Sequence, residues 1–279
     1  MDARAYLRER APLLERALDE TIPPASEPPA RLHAAMRHLV FPGGKRLRPT
    51  LAVAAAEAVG ARPEAALPAA TAVELTHTYS LIHDDLPCMD DDAERRGRPS
   101  VHVAFGEATA VLAGDALLAA AFGALVRDGD AEPARVLGAV RDLAEAAGSR
   151  QLVGGQVDDL EFDAADTDAG RIESVHARKS AALIAASVVS GARLAGAEDE
   201  LLARLRRFAE GVGVAFQIAD DLLDEHEDGA CSMVRALGRE GARQRAEALL
   251  DTALAEIETL GEGAEPLREL ARFAVRRRQ

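Results

Sequence analysis

The stretch from Ala65 to Asp90 reads AALPAATAVELTHTYSLIHDDLPCMD. Up to Asp85 it is rich in strong helix formers, with apolar residues at three- and four-residue spacing, which predicts a helix from Ala65 to about Asp85. That helix delivers Asp84 and Asp85, and a third carboxylate follows at Asp90. The same order recurs far along the chain, where a helical run from Asp199 leads into Asp220-Asp221-Leu222-Leu223-Asp224. Carboxylates crowded like this repel one another unless a cation lies between them. Hard divalent ions such as Mg²⁺ take oxygen ligands and usually share them with substrate phosphates. The two clusters therefore predict two acidic walls facing across one cavity, with metal-bridged phosphate between.

Spacing refines each cluster. Asp220 and Asp224 are four residues apart and share one helix face, with Asp221 beside it. Pro87 stands between Asp84 and Asp90, and proline ends or kinks a helix, so Asp90 is expected to return to the site through a non-helical turn. Asp91 and Asp92 extend the run as solvated charges.

Outward from these clusters the chain reads as helix almost throughout. An amphipathic helix runs to about Leu18, the prolines from Pro23 to Pro29 break it, and a short helix follows to about Val40. Phe41-Pro42-Gly43-Gly44 is a turn by composition, and Lys45-Arg46-Leu47-Arg48-Pro49 leads into the next helix. Further helices are expected at Val101–Val126, onward to Phe162, at Ile172–Leu194, at Asp199–Asp224, and beyond with a break at Gly261–Gly263. No alternating stretch is long enough to suggest a sheet. The expectation is one all-α domain over residues 1–279.

Composition narrows the function. The hydrophobic fraction of 48% supports a sizeable core, and a net charge of −14 argues against a nucleic-acid partner, which needs a basic face. Cys88 and Cys231 form no zinc pattern and no disulfide framework. With no apolar signal segment and no long, purely apolar run, the expectation is a cytoplasmic chain without a membrane span. Only two lysines, Lys45 and Lys179, occur among 33 basic residues. Lys45 follows the glycine turn and precedes Arg48, while Arg95-Arg96 follow the first acidic cluster. Arginine grips phosphate bidentately and lysine acts as a point charge, so these are the candidate anion ligands. Gly43-Gly44-Lys45-Arg46 lacks the spacing of a P-loop. Gly211-Val212-Gly213 lacks a third glycine for a dinucleotide site, and Arg235 stands where a calcium loop starting at Asp224 would need glutamate.

The stretch His77 to Asp92, followed by Arg95-Arg96-Gly97-Arg98-Pro99, resembles the first aspartate-rich motif of the trans-isoprenyl diphosphate synthases. Gly43 to Pro49 resembles their isopentenyl diphosphate loop, and Phe216 to Asp224 resembles their second motif. Gly154-Gly155-Gln156 and Lys179-Ser180 also fall where that family has Gly-Gly-Gln and Lys-Thr. The resemblance implies an all-α bundle around a central cavity, usually a homodimer. It implies that Asp84, Asp85, Asp90, Asp220, Asp221 and Asp224 hold Mg²⁺ on an allylic diphosphate. Lys45, Arg48, His77 and Arg96 would bind isopentenyl diphosphate. Arg95 would stabilise the leaving diphosphate, and Lys179, Ser180 and Gln217 would line the allylic site.

Tyr79, five residues before Asp84, with Ser80 beside it, lies where the family sets product length. An aromatic there, together with the inserted Pro87-Cys88, resembles its bacterial farnesyl synthases. The expectation is farnesyl diphosphate, with geranylgeranyl diphosphate as the alternative product. One departure stands out: no lysine follows Lys179, so a cation the family places after its second motif is missing. Either Arg235 or Arg239 replaces it, or the chain is a low-activity or regulatory subunit of a heteromeric synthase.

Overall fold

Alanine- and leucine-rich segments with few β-branched residues and little glycine form helix after helix. A computed structural model describes residues 2–127, 131–163, 165–223 and 231–276. The first helices are α1 (Ala3–Thr21), α2 (Ala30–Val40), α3 (Leu47–Ala58) and, after a 3₁₀ turn, α4 (Leu67–Asp84). A minimal hairpin follows, with β1 (Glu94–Arg95) antiparallel to β2 (Arg98–Pro99). Then come α5 (Val101–Phe105), α6 (Glu107–Leu125), α7 (Pro133–Ala147), α8 (Leu152–Leu160) and α9 (Ala169–His176). A π turn (Ala177–Ala181) leads into α10 (Ala182–Leu194), followed by α11 (Asp199–Leu223), α12 (Met233–Glu256) and α13 (Glu265–Arg276).

The all-α class is as expected, and the differences have local causes. The helix expected over Val101–Val126 is two, because Gly106 adopts φ 83° between α5 and α6. The run expected at Ile172–Leu194 starts earlier and contains the π turn, and the first helix continues through Pro12 to Thr21.

Helix α10 is buried on almost every face, including Leu183, Ile184, Val188 and Val189. A helix apolar all round belongs inside, and α10 packs against α3, α4, α7 and α11. Two large core clusters form on its sides. One gathers residues of α3, α10, α11, α12 and α13, and the other residues of α2, α4, α6 and α7. Each fully buried Leu or Val contributes about 1.5–3 kcal/mol, so this interior holds the helix ends where they stand. Asp142 of α7 is buried but accepts from Arg193 of α10 at 2.8 Å and from Arg206 of α11 at 2.8 Å. Helix α6 is long and apolar enough to cross a membrane by length and composition. Its inner side packs on α4 and α2, while Val111 and Leu112 remain exposed.

Candidate active site

The C-terminal end of α4 builds the acidic side. Asp84 is its last residue, and the turn Leu86–Met89 brings the chain back so that the Asp90 amide donates to the Asp84 carbonyl at 2.9 Å. Pro87 thus produces the non-helical return that the spacing predicts. Burial pushes the Asp84 carboxyl up to about 7; Lys179 opposes the rise and Asp90 adds to it. Burial also raises Asp85 and Asp90 above the usual carboxylate range. Asp85 is fully buried, its Oδ1 accepts from Arg95 Nε at 2.8 Å and Nη2 at 2.5 Å, and its Oδ2 has no hydrogen-bond partner. Carboxylates forced together and out of water are poised to take a cation, so the donor set fits a hard, oxygen-seeking ion such as Mg²⁺. Among the described residues, no three such groups are already gathered at metal-binding separation.

Arg95 and Arg96 sit on the hairpin. The two-residue turn Arg96-Gly97 has φ 58° and 73°, the double left-handed geometry that suits a tight hairpin. Arginine disfavours that backbone by about 1–2 kcal/mol. The geometry sends the neighbours to different tasks. Arg95 pairs with Asp85 and, at 2.7 Å, with Asp92. Arg96 lines a cavity of about 290 Å³ with Lys45, Arg48, His77, Phe216 and Phe273.

This basic cavity is built on the C-terminal end of α2. The last carbonyls of a helix lack intrahelical donors and carry partial negative charge. Here Arg98 donates to the His38 and Phe41 carbonyls, Arg96 to Leu39, and Arg46 to Val40. Arg46 also pairs with Glu74 of α4 at 2.6 Å and Glu15 of α1 at 2.7 Å. Arg46 therefore serves as a structural bolt. Gly43 makes room for it, since a Cβ there would lie inside the guanidinium. Arg48 contacts His77 at 3.2 Å.

On the far side of Asp84 the π turn presents Lys179 and Ser180. Such bulges re-aim side chains and recur at functional sites. Gly155 of α8 lets that turn approach, because a Cβ there would come within 2.8 Å of Lys179 Cα. Lys179 pairs with Asp159 at 2.6 Å, and Ser180 donates to Gln217 of α11 at 2.8 Å. Burial alone would lower the Lys179 ammonium, but Asp159, Asp84 and Asp90 outweigh it and raise its pKa.

The second cluster ends α11. Asp220 is partly buried, and Asp221 accepts from the Met233 amide at 2.8 Å with His176 Nε2 at 3.7 Å. His176 is held down to about 4 by burial. Asp221 thus anchors the start of α12. Cys231 lies beside Asp159 and Asp221, and burial followed by those carboxylates pushes its thiol up to about 12. Asp224 lies outside the described residues. Arg239, one of the two candidate substitute cations, donates to the Leu222 carbonyl at the end of α11 at 2.6 Å.

Tyr79 is buried one turn below Asp84, its ring edge-on to His83 with centroids 5.7 Å apart. Burial, then the Asp84 charge, pushes its phenol up to about 12. Ser80 donates to the His77 carbonyl on its own helix at 3.0 Å.

Sequence reasoning missed Asp159, Arg46, Glu74 and His176. Asp159 was visible as half of an acidic pair, Asp158-Asp159, just after Gly154-Gly155-Gln156. Glu74 was visible as a lone acid in an apolar helix, which calls for a buried partner. Nothing in the sequence marked Arg46 apart from Arg48.

A polyprenyl synthetase family model matches residues 29–233. The chain is 48% identical over 229 residues to a heterodimeric geranylgeranyl pyrophosphate synthase large subunit of Arabidopsis thaliana, covering 80% of this chain and 61% of the relative. It thus spans less than two thirds of that curated relative's length. It is 41% identical to a dimethylallyltranstransferase of Fischerella ambigua, covering 98% of this chain and 83% of the relative. Among solved structures, an FPP/GFPP synthase of Zymomonas mobilis superposes with a TM-score of 0.91 at 40% identity, covering 98% of both chains. The chain belongs to the polyprenyl synthetase family.

Proposed function

We propose that this chain, read as a single synthase domain, is a prenyltransferase that condenses isopentenyl diphosphate with dimethylallyl or geranyl diphosphate to give farnesyl diphosphate. The observation that carries the reading is the pairing of two anion sites of opposite construction. A basic cavity of about 290 Å³ adjoins an acidic cluster whose Asp84 carboxyl is raised to about 7, and the Arg95-Arg96 hairpin joins them. One diphosphate is bound by protein cations, Lys45, Arg48 and Arg96. The other is bound at Asp84, Asp85, Asp90, Asp220, Asp221 and Asp224.

Bound Mg²⁺ would supply the positive charge that lets the allylic diphosphate depart. Lys179 and Arg95 add fixed positive charge where that anion develops. Ser180 and Gln217, tied to each other, line the allylic pocket and steady the cation left behind. The allylic C–O bond breaks, the double bond of isopentenyl diphosphate forms the new C–C bond, and the departing diphosphate takes the released proton. Tyr79, beneath Asp84, blocks the growing tail near fifteen carbons.

Geranylgeranyl diphosphate is the second reading, favoured by the names of the plant relatives. The exposed apolar side of α6, with Val111 and Leu112, supports a homodimer formed on that helix. Two free cysteines support a reducing, cytoplasmic setting. Incubation with Mg²⁺, isopentenyl diphosphate and each allylic primer, followed by chromatography of the products, tests the activity. A fifteen-carbon product is expected. No elongation with any primer would overturn the enzyme reading.

A further inference from the structure

At the end of the bundle away from the aspartates, a cavity of about 510 Å³ lies among the ends of α1, α6 and α10 and the starts of α4 and α7. Leu67, in its lining, opens α4 and Asp84 closes that helix, so about 25 Å of helix separates the cavity from the acidic cluster. Leu75, Leu117 and Ala121 are fully buried between α4 and α6 and fill the space along the way. The cavity floor is apolar, made by Leu67, Pro68, Leu125, Val136 and Leu194, and Thr71 is the one buried polar residue in the lining. Arg62, Arg127 and Arg135 stand exposed at its rim. In a chain of net charge −14 arginines find carboxylates readily, as Arg10, Arg46, Arg193 and Arg245 do between 2.5 and 2.8 Å. The rim arginines do not. Among the described residues Arg62 enters no ion pair, Arg127 reaches only the Thr21 hydroxyl at 2.9 Å, and Arg135 meets Glu132 no closer than 3.8 Å. Glu20 and Glu64 also line the cavity, exposed and paired with none of the three, while Asp128 and Asp130 lie outside the described residues.

We propose that this cavity binds a phosphate monoester carrying one apolar chain, with the chain on the apolar floor and the head between Arg62, Arg127 and Arg135. Its volume falls in the range of ordinary small-molecule sites, which are mostly apolar with a few convergent polar groups. Guanidinium groups grip phosphate bidentately. Three of them exceed what the two oxygens of a carboxylate can engage, whereas a phosphate monoester presents three. The site is separate from both diphosphate sites of the proposed reaction and stands whether or not that reaction occurs.

Calorimetry of the full chain with octyl phosphate, in the absence of metal, reads the site directly. Octyl phosphate should bind, and inorganic phosphate and octanol should each bind at least about tenfold more weakly, because each lacks half of the interaction. The Arg62→Ala/Arg127→Ala double variant changes two exposed residues, so it should melt within about two degrees of the parent. Its affinity for octyl phosphate should fall at least about tenfold through loss of charge-assisted hydrogen bonds. Val136→Trp, which fills the cavity and leaves the rim arginines in place, should lose binding as well. Arg48→Leu, in the basic cavity of the active site, should leave octyl phosphate affinity unchanged. Loss of binding in Arg48→Leu, or undiminished binding in the double variant, would put the ligand elsewhere and overturn the proposal. Inorganic phosphate binding as tightly as octyl phosphate would overturn it too, since the apolar floor would then contribute nothing. A parent chain that elongated no primer but bound octyl phosphate at this rim would fail the proposed function and keep this site.

Discussion

The two anion sites meet at the hairpin and are built on opposite principles. In the basic cavity the arginines have partners within the fold: Arg96 on a carbonyl ending α2, Arg46 on Glu15 and Glu74, Arg48 against His77. That side is complete as folded. On the acidic side Asp84, Asp85 and Asp90 are partly dehydrated, and burial makes all three hold protons more tightly than carboxylates in water. On the proposed reading, that side is finished by cations from outside. One site is preorganised by the chain, and the other, on the proposed reading, is left for a metal ion to neutralise.

The sharpest way to break this contrast is Asp84→Asn. Removing a charge that organises the leaving group should lower kcat by roughly 10²–10³-fold, the scale seen when a transition-state charge stabiliser is deleted. Isopentenyl diphosphate affinity should stay nearly constant, because the basic cavity does not depend on Asp84. Steady-state kinetics together with equilibrium binding separate the two effects. A comparable loss of isopentenyl diphosphate affinity would show that the two sites are not independent.

The complementary change is Gly43→Ala. Its new Cβ would displace the Arg46 guanidinium, leaving Glu74, only 2% exposed, without its partner. Breaking a buried pair costs about 3–5 kcal/mol, which for a chain of this size lowers the melting temperature by roughly 6–15 °C. Thermal unfolding followed by circular dichroism checks it. A fall of only a degree or two would mean that the loop relaxes around the methyl group and that Arg46 is no bolt.

The same contrast explains what the sequence disclosed. Helical class, both aspartate clusters and the return of Asp90 were legible because they depend on local spacing and on Pro87. The separation of labour among arginines was not. Arg46 and Arg48 are two residues apart, and Arg95 and Arg96 adjacent. Which of each pair is locked to carboxylates, Arg46 and Arg95, goes with a left-handed backbone at Arg46 and Arg96, and residue type alone does not announce that geometry. Asp159 was hidden for another reason. Its role depends on Gly155 letting α8 approach the π turn, a tertiary contact between segments some twenty residues apart. The fate of Arg239, on the carbonyl ending α11, likewise depends on where α12 packs.

A gentler perturbation is pH in the absence of metal. Asp84 has its carboxyl raised from 3.8 to about 7, so between those values the folded chain holds a proton that the unfolded chain releases. Stability from this group is therefore full below about pH 4 and is lost as pH rises toward 7. Allowing for its partial exposure, the loss is roughly 1–3 kcal/mol. Denaturant titrations of metal-free protein at pH 5 and 8 should show it, and Asp84→Asn should flatten the difference. Mg²⁺ should stabilise the protein more at pH 8 than at pH 5, since its ligands must be deprotonated. A pH-independent metal effect would remove the electrostatic tension from the account.

The change expected to disturb the rate least is the one that bears on the product. Tyr79→Ala removes a buried ring that packs edge-on against His83 beneath Asp84. It touches neither set of charges, so the condensation rate should stay within a few-fold. On the proposed reading, the cavity it opens lies on the path of the growing tail. A phenol removed from a packed core leaves a void that the neighbours only partly fill, and an added five-carbon unit is the ligand best placed to occupy it. Chromatography of the products should then show twenty-carbon chains at the expense of fifteen. A parent protein already making twenty carbons would support the second reading of the product. An unchanged distribution after the substitution would show that Tyr79 is core packing, and that the tail is stopped elsewhere along α4 and α6.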